Sequence, residues 1–353
     1  MEYQPVIQNL GTRPCLLPSW HNGVLLRSTN WLGDALMTLP ATYQLRRLMP
    51  DPCGFFVLCP KFLKPLWQAC PWVDIVIGME DKRITSAECE AIRIYGAGLG
   101  IVFPNSFGAA LDVWRIGLKQ RLGRAGRGRT LLLTNPLPEW PRVKNGEQAQ
   151  FHQLSWYLDL IAAIGPIEWS PQCPPLTVDG QLAVDLGIAG PGWLALAPGA
   201  AYGPAKQWPQ EHFLEIARRQ TARGGRVVLV GTAKERSVTE AIASQVPGTL
   251  DLAGRTTLPQ LMSILAAVDA VVANDSGAMH LAAAVGTSGV ALFGSTDPIA
   301  TGPIGAPWRI LVADTPCRPC FARTCSQPNH PYHCLHSLTP DNAWQELLSL
   351  SSK

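Results

Sequence analysis

The chain of 353 residues is long enough for two domains of ordinary size, and its apolar content of 47% can fill their cores. A net charge of only +3 argues against extensive nucleic-acid binding, so any basic surface is local. Apolar runs stay well short of the ~20 residues of a membrane span, and residues 1–20 lack the apolar core of a signal peptide, so we expect a cytoplasmic protein.

The first half of the chain alternates apolar runs of strand length with helical patterns, which predicts α/β structure with parallel sheets. We expect strands at Gly23–Arg27, Gly54–Leu58, Val73–Ile77 and Leu99–Phe103, and helices at Leu32–Leu48 and Phe62–Ala69. A basic stretch and a loop are predicted from Arg115 to Gln148, followed by an amphipathic helix at Phe151–Ile164.

The first predicted strand runs into a small polar turn, Ser28–Asn30, and then into a helix whose first turn contains Asp34. An acidic residue at that position commonly complements the helix dipole. It can also act as a general base that takes a proton from an attacking hydroxyl. The residues alone leave both roles open, and the dipole role is the commoner one.

The stretch Arg115–Arg129 contains six cations and no carboxylate. Such a run is usually a solvated face. The glycines between its arginines indicate a flexible loop instead, and a loop of this kind would suit an anionic acceptor such as a lipid head group.

A proline-rich segment, Gly165–Pro175, is the best linker in the chain, and the α/β alternation restarts after it. Strands are predicted at Trp193–Ala197, Arg226–Val230, Thr249–Leu252, Ala270–Ala273 and Val290–Phe293. Helices are predicted at Gln210–Ala222, Lys234–Gln245, Leu258–Ala267 and Gly277–Val285.

Three loops of the second half carry candidate chemistry. Lys206, in the loop Pro198–Pro209, either supplies positive charge to a phosphate leaving group or is simply solvated. The turn at Asp275–Gly277 opens a helix, where free N–H groups and the helix dipole favour phosphate. Asp275 and the nearby His280 could contact a ligand at this turn or could only support the turn structurally. A polar loop after Phe293 would lie beside the turn.

The chain has ten cysteines, and six of them are scattered in a way that suits reduced, buried thiols. The other four follow the spacing C-x2-C-x4-C-x8-C and are Cys317, Cys320, Cys325 and Cys334. Cysteines with interleaved histidines are zinc-type ligands, but this spacing matches no zinc finger closely. We expect ordinary structural cysteines, with a structural zinc site as the alternative.

Four of these segments together resemble glycosyltransferase family 9, the ADP-heptose:lipopolysaccharide heptosyltransferases. The segments are Ser28–Asp34, Pro198–Pro209, Asn274–His280 and Phe293–Pro298, in the family's order and separations. The cysteine motif resembles the heptosyltransferase II branch of that family. The resemblance extends from about Gly23 to the C-terminus, and it leaves residues 1–22 as an unmatched N-terminal extension.

The resemblance implies a GT-B fold, in which two Rossmann-like α/β domains face a central cleft. Residues 23–172 would bind the acceptor and residues 173–353 the nucleotide-sugar, and the last helix, Asp341–Leu350, would cross back to the first domain as it often does in GT-B chains. The implied reaction is an inverting transfer of L-glycero-D-manno-heptose from ADP-heptose to the first heptose of the lipopolysaccharide inner core, heptosyl-Kdo2-lipid A. Neither a cofactor nor a metal ion is implied.

By the same resemblance, Asp34 is the general base and Lys206 neutralises the pyrophosphate. The implied donor-binding residues are Gly199, Asp275, Ser276, Gly277, Ala278, Met279, His280, Ser295, Thr296 and Asp297. The acceptor-binding residues are Asn30, Trp31, Gly33, Arg121, Arg124 and Arg127, of which the arginines are our own inference from charge.

The implied partners are the nucleotide-sugar and an anionic lipid A-core acceptor at the inner face of the cytoplasmic membrane, with no nucleic acid. We expect a monomer that associates peripherally with that membrane. One alternative is a heptosyltransferase of type I or III with a different acceptor. A dinucleotide-dependent oxidoreductase would need a strand leading into G-x-G-x-x-G, which is missing. A non-catalytic nucleotide-binding or sugar-binding protein would be free to lose Asp34 or Lys206, and both are present.

Overall fold

The computed structural model describes residues 2–140 and 147–350, which form two compact units. The first unit holds residues 7–140 and 153–177, and the second holds residues 178–350 together with 2–6 and 147–152. Each unit is built on a six-stranded sheet in which every pair of neighbouring strands is parallel. The predicted α/β class is therefore confirmed.

The strands of the first unit are β1 Val24–Arg27, β2 Phe55–Pro60, β3 Ile75–Met79, β4 Leu99–Val102, β5 Gln120–Arg124 and β6 Asn135–Leu137. Its helices are α1 Leu32–Met37, α2 Leu39–Leu48, α3 Lys64–Gln68, α4 Ser86–Arg93, α5 Phe107–Ile116 and α6 Leu154–Ala162. The single helix expected at 32–48 is divided at Thr38 because Pro40, in the first turn of α2, has no N–H to continue the hydrogen-bond ladder.

The strands of the second unit are β7 Trp193–Ala197, β8 Arg226–Leu229, β9 Leu250–Asp251, β10 Ala270–Asn274, β11 Gly289–Phe293 and β12 Trp308–Val312. Its helices are α7 Gln181–Asp185, α8 Gln210–Ala222, α9 Arg236–Ala243, α10 Leu258–Ala267, α11 Gly277–Ala284, α12 Pro298–Thr301, α13 His333–His336 and α14 Pro340–Leu350. The central strands β7, β10 and β11 are buried along their whole length, which explains their continuous apolar sequences.

Both sheets have the same strand order. The first runs β3-β2-β1-β4-β5-β6, and the second runs β9-β8-β7-β10-β11-β12. In each sheet the winding direction reverses at its centre, between β1 and β4 or between β7 and β10. The loops that follow those strands diverge there, and such switch points are where open α/β sheets bind ligands.

Residues 2–6 are not a separate extension. The Tyr3 N–H donates to the carbonyl of Trp308 at 2.7 Å, and the Tyr3 hydroxyl donates to the carbonyl of Pro298 at 2.8 Å. Residues 2–6 therefore pack within the second unit. Helix α14 also packs within that unit, against α8, β10, β11 and β12, which differs from the crossing expected from sequence.

The basic stretch after α5 is not a flexible loop. It contains the regular strand β5, which pairs with β4 on one side and β6 on the other. Leu122 and Gly123 are buried in this sheet, so the segment is held as a strand despite its arginines. Residues 141–146 of the predicted loop lie outside the described residues.

Candidate active site

The switch point of the second sheet brings the loops after β7 and β10 together. Lys206, in the first loop, places its Nζ 2.5 Å from Oδ2 of Asp275, in the second. The side chains of Lys206 and Asp275 are 14% and 4% exposed, so the pair is largely shielded from water. The hydroxyl of Thr296, which follows β11, donates to the same carboxylate oxygen at 2.6 Å. Three predicted site residues thus form one cluster.

Asn274, which the sequence analysis did not select as a site residue, joins the same two loops. Its side-chain N–H₂ donates to the carbonyls of Pro198 and Gly199 at 2.7 and 3.3 Å, and its side-chain oxygen accepts from the N–H of Trp208 at 3.0 Å. Asn274 is fully buried, so these bonds are shielded and hold the loops in register. A polar residue at the end of an otherwise apolar strand was the available signal.

Helix α11 opens directly at this cluster. Ser276 is its N-cap residue, yet the side chain makes no capping hydrogen bond. The hydroxyl oxygens of Ser276 and Ser295 are both buried without a hydrogen-bond partner among the described residues. Buried hydroxyls are nearly always bonded, so two unpartnered ones beside a helix N-terminus indicate a place where an anionic ligand would complete the bonding.

His280 lies on the first turns of α11 and is buried. Burial is the main reason that the pKa of His280 falls to about 4; the Asp275 charge opposes this shift and the Lys206 charge adds to it. The imidazole is therefore neutral at pH 7, so it can support the loop or donate one hydrogen bond, and it adds no charge to the site.

Other predicted donor residues have structural tasks. The carboxylate of Asp297 accepts the N–H of Ile299 at 2.9 Å, capping α12, and the N–H of Ala149 at 2.6 Å. A Cβ at Gly199 would lie 2.0 Å from the carboxylate of Glu235, so a side chain there would displace that carboxylate. Glu235, which the sequence analysis missed, therefore lies directly against the loop that follows β7.

In the first unit, Asp34 lies in the first turn of α1, where the predicted acid was placed. The Tyr157 hydroxyl is close enough to feel its charge: burial is the main cause of the raised pKa of Tyr157, and Asp34 adds to it. Trp31, the N-cap of α1, is 72% exposed and Asn30 is also exposed. An exposed tryptophan next to a carboxylate is a combination that suits a sugar.

A buried ion pair fixes the turn before α1. Arg27, at the end of β1, is 2% exposed and its Nε lies 3.4 Å from Asp112, which is fully buried. Its other nitrogens donate to the carbonyl of Ser28 at 2.5 Å and to the side-chain oxygen of Asn30 at 2.9 Å. Arg83 contacts the second oxygen of Asp112 at 2.8 Å. The sequence analysis did not select Arg27 or Asp112, because their pairing depends on contact between β1 and α5, which are far apart in the sequence.

The arginines expected to face an anionic acceptor are divided by the structure. Arg124 is 5% exposed, pairs with Asp159 and lies 5.1 Å from the centre of the Trp140 ring, so it is an internal residue. Arg121 donates to the carbonyls of Leu132 and Leu118. Arg127 is exposed. We expected all three guanidinium groups to face the acceptor. That expectation is wrong for Arg124, because its guanidinium is buried and pairs with Asp159.

The cysteine motif does not form a metal site in this structure. Within the part of the chain that is described, no group of three or more His, Cys, Asp or Glu side chains is placed to hold a metal ion. Cys317, Cys320, Cys325 and Cys334 are free thiols. Burial raises the pKa of Cys334 to about 11, which keeps that thiol protonated. The alternative of a structural zinc site has no support from this arrangement.

Across residues 2–140 and 147–350, no helix has both the length and the apolar character required to cross a bilayer.

Comparison with known proteins gives matches over most of the chain. Residues 89–330 match Glycosyltransferase family 9 (heptosyltransferase). Lipooligosaccharide heptosyltransferase 2 of Haemophilus influenzae is 31% identical, over 80% of this chain and 86% of that protein. Lipopolysaccharide heptosyltransferase 2 of Salmonella typhimurium is 28% identical, over 94% and 99%. The structure of Escherichia coli ADP-heptose lps heptosyltransferase II superposes with a TM-score of 0.77 at 28% identity, covering 93% of this chain and 98% of that one.

Proposed function

The chain belongs to glycosyltransferase family 9, and we propose that this glycosyltransferase moves L-glycero-D-manno-heptose from ADP-heptose to the first heptose of the lipopolysaccharide inner core. The names of its relatives support heptose transfer in that core. ADP-heptose is named for the Escherichia coli structure, which shares the fold and 28% of the sequence. The cysteine motif resembles that of the heptosyltransferase II branch, which favours addition of the second heptose of the core.

The observation that carries the proposal is the cluster at the second switch point. A shielded lysine, a helix N-terminus and two unpartnered serine hydroxyls converge on one place. These are the groups that stabilise a pyrophosphate as negative charge builds on it during departure. We assign Lys206 to the leaving-group charge and the Ser276–Met279 backbone to the phosphates. Gly199, His280 and the Ser295–Asp297 loop would line the same pocket.

Asp34 is proposed as the general base. It would take the proton of the acceptor hydroxyl as that oxygen attacks the anomeric carbon from the face opposite ADP, which inverts the configuration. The bond from the anomeric carbon to the pyrophosphate oxygen breaks as the new glycosidic bond forms. Asn30, Trp31 and Gly33 would contact the acceptor sugar, and Arg127 would contact its anionic head group.

We propose that transfer needs neither a divalent cation nor another cofactor, since the protein itself supplies a lysine, Lys206, and the α11 amides beside the leaving group. Activity that survives exhaustive chelation would support this; activity lost with EDTA and restored by Mg²⁺ would contradict it. We also propose a cytoplasmic monomer that meets its acceptor peripherally at the inner membrane. Salt-sensitive binding to vesicles that contain the lipid acceptor, with a monomeric mass in sedimentation, would test that.

The test uses ADP-heptose with three truncated lipopolysaccharides that carry no heptose, one heptose or two. We expect ADP release and product mass only with the one-heptose acceptor, and an inverted anomeric configuration by NMR. Product from the acceptor without heptose would point to a type I enzyme, and product from the two-heptose acceptor to a type III enzyme. No transfer to any of them would contradict the proposal.

The base is tested with Asp34→Asn, which should lower kcat by about 10²–10⁴-fold while leaving ADP affinity unchanged. Asp81→Asn is the matched control, because Asp81 is an exposed aspartate of the same unit. Full activity of the Asp34 variant would remove the assignment without affecting the donor half of the proposal.

A further inference from the structure

The cysteine-rich segment, Cys317–Cys325, packs directly on the loops that form the proposed donor site. The N–H of Phe321 donates to the carbonyl of Ser295 at 2.8 Å, and the N–H of Ala205 donates to the carbonyl of Arg323 at 3.1 Å. The hydroxyl of Tyr202 donates to the carbonyl of Phe321 at 2.6 Å. The segment thus bridges the loop after β7 and the loop after β11.

The approach of the segment is close enough to require a glycine. Gly203 has a φ of +148°, and a Cβ there would lie 2.7 Å from the carbonyl oxygen of Arg323. Any side chain would push the segment away from the loop that carries Lys206. The contact is therefore part of how the donor loop is built.

Two arginines of the segment have different surroundings. Arg318 is partly buried and donates to backbone carbonyls, among them that of Thr296 at 2.7 Å, so its donors are used in bracing the loop after β11. Arg323 is exposed. Its guanidinium lies 5.1 Å from the centre of the Tyr202 ring, and no carboxylate of the described residues forms an ion pair with it.

The same aromatic ring is shared with the proposed catalytic cation. Nζ of Lys206 lies 4.9 Å from the centre of the Tyr202 ring. The cationic groups of Arg323 and Lys206 are therefore separated by at most about 10 Å. This separation is close to one Debye length at 0.1 M salt, so their charges act together on a nearby anion. Two cations this close favour a shared polyanion.

The charges of the described side chains favour a second cation at this site. Asp275 pairs with Lys206 and offsets its charge, His280 is neutral, and the carboxylate of Glu235 lies against Gly199. A diphosphate carries at least two negative charges, and the Lys206–Asp275 pair contributes no net positive charge to meet them. Arg323 is an exposed cation, unpaired with any described carboxylate, at the edge of the same loops.

We propose that Arg323 is a second cationic contact for the diphosphate of the donor, presented by the cysteine-rich segment. This inference rests on the proposed function. The Tyr202 ring sets the separation of Lys206 and Arg323, so that one phosphate can lie nearer each cation. The segment then has a role in donor binding beyond its structural one.

The experiment titrates ADP, inorganic pyrophosphate and adenosine into the full chain and its variants by calorimetry at low salt. Arg323→Gln should weaken ADP and pyrophosphate binding about tenfold and leave adenosine binding unchanged. Arg323→Lys should recover most of the loss. The matched control is Arg218→Gln on α8, which also removes one exposed charge and should change nothing.

A merely structural role predicts a different pattern. If Arg323 only packs on Tyr202, Arg323→Gln would weaken adenosine and ADP alike, or neither, and either result would overturn the inference. Wild type that binds pyrophosphate but not ADP would contradict the proposed donor, while the pyrophosphate titrations would still decide the role of Arg323. Wild type that binds neither ligand would overturn both.

Discussion

The two sheets share one strand order, yet the cations at their two switch points differ in burial and in bonding partners. At the first, Arg27 is 2% exposed and is bonded to Asp112 and to the turn that precedes Asp34. At the second, Lys206 is 14% exposed and shares its carboxylate with a threonine hydroxyl. The first pair is built into the fold, whereas the second lies where a ligand can compete for it. Equal topology therefore supports a buried structural ion pair in one unit and the proposed donor-binding lysine in the other.

Breaking the buried pair should have the largest effect on stability. Arg27→Met leaves Asp112 with one cation in place of two, and we expect the free energy of unfolding to fall by about 3–5 kcal/mol. Urea unfolding followed by circular dichroism would measure it. Arg47→Met, which breaks an exposed pair with Glu168, is the control and should leave the free energy of unfolding nearly unchanged, because solvent screens that pair. Equal losses in both variants would show that Arg27 is not the anchor of its turn.

Breaking the second pair should affect catalysis first. Lys206→Gln removes the charge but keeps a hydrogen-bond donor, and we expect kcat/KM to fall about 10²–10³-fold. The free energy of unfolding should fall less than in Arg27→Met, because Asp275 keeps the Thr296 hydroxyl as a partner. Steady-state kinetics and urea unfolding on the same preparations test this. A variant with lost stability and normal turnover would reverse the proposed contrast.

His280, one of the buried histidines of the second unit, should make the stability of that unit sensitive to acid. Because the pKa of His280 is about 4 when folded and 6.5 in its ordinary state, the unfolded chain binds a proton that the folded chain does not. The contribution of His280 is fully present above about pH 6.5 and is lost as the pH falls toward 4, by roughly 3 kcal/mol. His152, with a pKa lowered by burial to about 3, acts in the same direction.

Urea unfolding between pH 7 and 4.5 would measure this slope. His280→Asn should have a shallower pH dependence than wild type, with the His152 contribution remaining. Identical slopes in both proteins would contradict the assignment to His280.

The smallest of these effects should come from Asn274, which joins the loops after β7 and β10. Asn274→Ala leaves the carbonyls of Pro198 and Gly199 and the N–H of Trp208 without their buried partner, and we expect a loss of about 1–3 kcal/mol. Asn9→Ala, at an exposed position, should cost almost nothing. Thermal unfolding with and without ADP compares the two variants. A loss confined to ADP binding would make Asn274 a ligand contact and not a joint.

Much of the fold was predictable because its signal is local. The apolar runs at 193–197, 270–274 and 290–293 are strands because they are buried on both faces, and the positions of Asp34, Lys206 and Asp275 at strand ends follow from that. The arginine stretch was not predictable: its charges indicated a loop, but β5 exists because its backbone pairs with β4 and β6. The counter-charge of Arg124, Asp159, is on a helix that sequence proximity does not reveal.

The sequence by itself determined the alternation of strands and helices, the residue types at the turns and membership of a glycosyltransferase family. Only the tertiary structure decided which of those turns meet. Asn274 joins the loop after β7 because β10 pairs with β7, and Arg27 is buried because α5 brings Asp112 to β1. Hydrophobic periodicity is a pattern among residues that are close in sequence. A charge pair between distant elements depends instead on which strands and helices lie side by side in the fold. The cysteine-rich segment is the clearest case, since its contact with the loops of the proposed donor site follows from packing alone.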